Sequence, residues 1–71
     1  MAENVYPVTE IVGTSTTSIE DAVQRAIRTA NKSLRNLDWF KITEVRGHIE
    51  NGAPTHYQVT VKIGFRYDDP A

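Results

Sequence analysis

Hydrophobic positions in this chain alternate, then recur at steps of three and four, then alternate again. From Val5 to Val12 the residues are β-branched and aromatic with partial alternation, which predicts a first strand that Pro7 places at a sheet edge or at an irregular start. Gly13 to Thr17 is rich in Ser and Thr and reads as a turn. Ser18 followed by Asp21 then has the form of a capping box. The helix that starts there carries Ile19, Val23, Ala26, Ile27, Ala30, Leu34 and Leu37 on one stripe, with Asn36 as its stop. Ala22, Ala26 and Ala30 keep part of that stripe thin, so the helix axis can lie close against a sheet. Trp39 to Glu50 is a second strand, Asn51-Gly52-Ala53-Pro54 a hairpin loop, and Tyr57 to Tyr67 a third strand with clean alternation.

Parity along the second strand carries the most information. Phe40 and Ile42 share one face, whereas Val45, Gly47 and Ile49 would fall on the other. A bulge near Thr43 to Val45 returns all of them to the inner face. The outer face then displays Trp39, Lys41, Arg46, His48, Gln58, Thr60, Lys62 and Arg66, and the loose tail is Asp68 to Ala71. The expected fold class is α+β: strand, helix, strand, strand, as one domain over residues 1–71, with a three-stranded antiparallel sheet curled around one helix. An outward indole beside polar residues suits surface decoration, a dry subunit contact or stacking on a planar ligand.

Size narrows these alternatives. A chain of 71 residues buries only about 60% of the surface its unfolded form exposes, so its own core leaves it marginal. Cysteine is absent, which removes disulfides, and His48 and His56 flank a turn with no further nitrogen ligand, which argues against a structural metal site. Association with copies of itself is the remaining staple. The net charge of −1 argues against a nucleic-acid partner held mainly by phosphate contacts. No apolar run approaches the roughly 20 residues of a membrane span, and the start lacks a signal-peptide pattern, so no membrane partner and a cytoplasmic location are expected. Asn31-Lys32-Ser33 matches a glycosylation acceptor but falls within the predicted helix.

Strand geometry adds a constraint. Trp39 sits across from the neighbourhood of Arg66, and Gln58 lies some eight residues away toward the hairpin loop, or roughly 26 Å at about 3.3 Å per residue. A small ligand that touches both Trp39 and Gln58 must therefore draw them from two chains.

The chain carries Ile11-Val12-Gly13-Thr14-Ser15 before the helix, Leu37-Asp38-Trp39-Phe40 opening the second strand, Val45-Arg46-Gly47 in its middle, and Tyr57-Gln58-Val59 with Gly64-Phe65-Arg66 on the third. In this order and spacing these segments resemble the dodecins, small flavin-binding proteins that assemble as hollow dodecamers. The resemblance spans nearly the whole chain. It implies that Trp39 stacks on an isoalloxazine ring at a twofold contact and that the Gln58 amide bonds the ring's polar edge, whose alternating donors and acceptors an amide complements. It places Arg46 and Arg66 near the flavin's phosphate-bearing chain, which favours FMN over riboflavin, with FAD a further flavin and coenzyme A a further ligand whose residues cannot be placed. Arg46 and Arg66 also fit as interface ion-pair partners, and Asp38 and Glu44 as inter-subunit salt-bridge or helix-end groups.

No catalytic constellation is present: a nucleophile with its base, paired carboxylates in a pocket and a phosphate-cradling glycine loop are all missing. The implied function is storage, sequestration and photoprotection of FMN or riboflavin in a homododecamer, not catalysis, with indole-to-flavin electron donation quenching the excited ring. The alternatives are a flavin-dependent oxidoreductase component and a structural assembly module without ligand. His48 and His56 receive no role.

Overall fold

A computed structural model describes residues 5–67. Its elements are β1 (Val8–Ser15), α1 (Ile19–Asn31), β2 (Leu37–Glu50) and β3 (Ala53–Phe65). The sheet is antiparallel throughout, in the order β1-β3-β2. The expected β-α-β-β architecture is therefore present. The expected tail from Asp68 onward lies outside the described residues.

The first strand sits three residues later than its composition suggests. Pro7 has no N–H to give a ladder, and it stays outside the strand while its carbonyl accepts from the Phe65 N–H at 3.1 Å. Gly13, Thr14 and Ser15, expected as a turn, instead continue the strand opposite Val59, Gln58 and Tyr57. Ser15 points inward and is buried. Its hydroxyl accepts from the Thr17 and Ser18 N–H groups at 2.9 and 3.3 Å and donates to Asp21 Oδ2 at 2.6 Å.

That hydroxyl changes the expected capping box. Ser18 caps the helix by accepting from the Asp21 N–H at 2.9 Å, but the Asp21 carboxylate does not reach back to the cap. It is held by the Arg25 Nε–H at 2.6 Å and by Ser15. The Arg25 guanidinium first, and the Ser15 hydroxyl second, hold the Asp21 carboxyl below its ordinary range. The stability contributed is complete above the unfolded carboxyl value of about 3.9 and is lost as pH falls through the lower folded value. Ser15→Ala removes the shared acceptor from two N–H groups and is expected to cost about 1–2 kcal/mol, read as a lower urea midpoint at unchanged slope.

The helix ends at Asn31, well before the expected stop. The Lys32 N–H turns to the Thr29 carbonyl, and the Ser33 and Leu34 N–H groups both turn to Ala30. Asn36, at φ 59°, takes the left-handed conformation that reverses the chain into β2. Leu34 and Leu37 still pack on the core, from the connection and from the start of β2.

The core is small: Ala22, Val23, Ala26 and Ala30 from α1 meet Val59, Val61 and Ile63 from β3. The thin alanine stripe performs as expected. A Cβ on Gly13 would collide with the Ala22 carbonyl oxygen and come within 2.9 Å of the Ala26 Cβ, so backbone meets backbone here. The helix packs chiefly on β1 and β3 and does not cover the whole inner face. Phe40, Ile42, Val45 and Ile49 of β2 point to the core side, yet are 51%, 41%, 47% and 71% exposed.

The expected bulge is present at Thr43, between the Ile42–Val61 and Glu44–Thr60 pairs. Two further irregularities set the rest of the parity. Asp38 is the extra residue between Leu37, paired with Phe65, and Trp39, paired with Gly64, and Thr55 is extra between His56 and Pro54. The hairpin turn is tighter than expected: Asn51 (φ 50°) and Gly52 (φ 78°) alone link Glu50 to Ala53. Pro54 lies within β3, where only β2 flanks that strand, so its missing N–H leaves no second ladder unpaired.

Candidate functional site on the outer sheet face

Cross-strand pairing orders the outer face into rows. Trp39 lies opposite Gly64, Lys41 opposite Lys62, Glu44 opposite Thr60, Arg46 opposite Gln58, and His48 opposite His56. On the other flank of β3, Glu10 lies beside Lys62, Val12 beside Thr60 and Thr14 beside Gln58.

The Asp38 bulge turns Trp39 outward while Leu37 and Phe40 stay inward. The indole then lies directly over Gly64. The nearest atoms to a Cβ built on that glycine are Cε2, Cζ2 and Nε1 of Trp39, all inside van der Waals contact. Tyr6 meets the same indole edge to face, with centroids 6.3 Å apart and planes at 76°. Trp39 nevertheless remains 40% exposed. An aromatic platform seated on bare backbone, braced by a second ring and open to solvent, is suited to stacking.

Gln58 sits on the central strand between Thr14 and Arg46, half-buried, and no described residue hydrogen-bonds its side-chain amide. Arg46 donates through Nη2 to Glu44 Oε2 at 3.0 Å, an exposed ion pair along its own strand. Any anion approaching Arg46 meets this carboxylate as a competitor. Arg66 departs from expectation: it follows the end of β3, its N–H and carbonyl bonded to Asn36 at 3.0 and 3.3 Å, and is not a strand residue of the outer face.

Within one protomer the structure brings Arg46 to Gln58 and leaves both far from Trp39. Six positions of β3 separate Gln58 from Gly64, or roughly 20 Å at about 3.3 Å per residue, and Arg66 lies two positions further on. Sequence reasoning placed Trp39, Arg46 and Gln58 on the correct face but missed Gly64. The signal for it was available, since a glycine interrupting a cleanly alternating strand marks a close approach.

Fold and face together define a class: a small one-helix, three-stranded protein that presents a ring-sized aromatic platform on one sheet face and an uncovered apolar strip on the other. The dodecin family model matches residues 5–68. The chain is 45% identical over 65 residues to the dodecin of Thermus thermophilus, covering 92% of this chain and 94% of that one. It superposes on the dodecin of Streptomyces coelicolor with a TM-score of 0.86 at 48% identity, over 97% of this chain and 99% of the other. A calcium dodecin of Mycobacterium tuberculosis, a calcium-chelating antigen, is more distant, with a TM-score of 0.76 and 25% identity over 94% and 96% of the two chains. The chain belongs to the dodecin family. Among the described residues no helix is long and apolar enough to cross a membrane.

Proposed function

We propose that the protein binds and stores a flavin, FMN or riboflavin, by stacking the isoalloxazine ring on Trp39 where copies of the chain meet in a homododecamer. The observation that carries this reading is the indole seated against Gly64, outward and open, on a face where its own core cannot use it. A fused planar ring offers such a platform one large apolar face, and the Gln58 amide complements the ring's carbonyl and N–H edge. Because Trp39 and Gln58 of one protomer stand roughly 20 Å apart, a site using both is shared between chains. The uncovered strip of Phe40, Ile42, Val45 and Ile49 gives the chain a reason to associate, since a stable monomer of this size would not leave it open.

Binding rather than turnover is the activity: the ring is sandwiched, and the indole donates an electron to the photoexcited flavin before side reactions begin. The test uses purified protein titrated with FMN in the dark, with flavin fluorescence and particle size as readouts. Binding accompanied by quenching in a large closed oligomer is expected. Trp39→Ala should cost at least about 2 kcal/mol, roughly 30-fold in affinity, as truncated aromatic anchors do, and should restore fluorescence of the flavin that still binds. An oligomer that ignores FMN would instead make Trp39 an assembly residue.

Arg66→Ala should weaken FMN several-fold while leaving riboflavin nearly unchanged, because only FMN carries the phosphate that a guanidinium can hold in a charge-assisted bond. Equal losses for both flavins would remove Arg66 from the phosphate role.

A further inference from the structure

The far end of the outer face carries a second constellation. His48 and His56 stand directly opposite each other on β2 and β3, with rings stacked at 5.2 Å between centroids and planes 14° apart. Both are exposed. The backbone beneath them is pinned by the Thr55 hydroxyl, which donates to the His48 carbonyl at 3.2 Å across the bulge. Glu50, two positions beyond His48, places Oε1 3.4 Å from the His48 Nε2. Eight positions of β3 separate His56 from Gly64, roughly 26 Å at about 3.3 Å per residue, so the pair lies apart from its own chain's indole.

We propose that His48 and His56 together chelate a borderline divalent transition-metal ion of the Zn2+, Ni2+ or Cu2+ class, with water completing its coordination. Imidazole nitrogen suits these ions, whereas Ca2+ and Mg2+ demand shells of oxygen that this pair does not offer. Directly opposed residues of an antiparallel pair keep their Cβ atoms about 4.5–5.5 Å apart. The soft χ2 torsion of histidine then turns the stacked rings so that one nitrogen of each reaches a common ion at about 2.0–2.1 Å. The Glu50 carboxylate, 3.4 Å from the His48 Nε2, adds negative charge beside the pair, which favours a cation there. Arg46, two positions before His48, is already paired with Glu44, and Arg25, which lines a pocket with His56, is paired with Asp21, so each adds little repulsion. Among the described residues no three His, Asp or Glu side chains converge on one point, so the site is a two-nitrogen chelate and not a closed structural centre.

The inference is independent of flavin binding and is tested on untagged full-length protein without flavin. Isothermal titration with Cu2+ and Zn2+ should show saturable binding, and electron paramagnetic resonance of the Cu2+-loaded protein should show coupling to two nitrogens. His48→Gln and His56→Gln should each lose at least about tenfold in affinity, the lower bound set by residues that merely orient a ligand. Glu50→Gln should weaken binding less while keeping the two-nitrogen signal. Both histidines are exposed, so circular dichroism should show both variants folded. Undetectable binding by the wild-type protein, wild-type affinity in either histidine variant, or coupling to a single nitrogen would overturn the site.

Discussion

Alanine at Gly64 is expected to abolish tight flavin binding nearly as completely as loss of the indole itself. The added methyl would occupy the space of Cε2, Cζ2 and Nε1 of Trp39, so the ring must leave the sheet. Nothing in the backbone resists the change, because Gly64 is not among the residues with positive φ. The damage is therefore confined to where the indole points. Tryptophan emission should shift to the red as the ring enters solvent, and flavin affinity should fall by about 30-fold or more, matching Trp39→Ala. A double-mutant cycle separates positioning from simple destabilisation. Once Trp39 is alanine, the second change at Gly64 should have almost no further effect on stability, because the atom it collides with is gone. Additive losses would mean that Gly64 matters for some other reason.

Alanine at Gly13 should strike the fold instead of the site. Its Cβ would meet the Ala22 carbonyl oxygen, which belongs to the helix backbone and cannot rotate aside. Relief requires α1 to lift from β1, which opens the packing of Ala22, Ala26 and Ala30 against the sheet. Overpacking of this kind costs about 3 kcal/mol, which in a domain of this size lowers the melting temperature by roughly 12–24 °C. The comparison must be made at fixed chain concentration, since assembly contributes to the measured midpoint. Ala26→Gly would relieve the secondary contact with the Ala26 Cβ but not the one with the Ala22 carbonyl, so it should recover little of the loss.

The two glycines show how one small core divides its tasks. Gly13, opposite the middle of β3, lets a helix lie on the inner face, and Gly64, near the end of β3, lets an indole lie on the outer face. Gly13 serves stability and Gly64 the proposed ligand. The uncovered inner strip of β2 belongs to neither task, and self-association is the use that a chain with so few buried side chains has for it.

Much of this arrangement was legible from local chemistry. Alternation in β3, the helical stripe of α1 and the parity break in β2 are consequences of side-chain periods of 2 and 3.6, which any sequence displays before it folds. They sufficed for the element order, for the bulge at Thr43, and for placing Trp39, Arg46 and Gln58 on one outer face. What they could not convey depended on partners distant in sequence. Ser15 reads as a turn residue until its hydroxyl is seen to serve two N–H groups and Asp21, and Asn36 reads as a helix stop until its positive φ is seen to turn the chain into β2. The helix's choice to cover β1 and β3 while leaving β2 bare, and the seating of the indole on Gly64, were likewise decided only in three dimensions. A residue's period is fixed by its neighbours in the chain, whereas what it touches across the sheet depends on register, and each bulged residue changes that register for every residue after it.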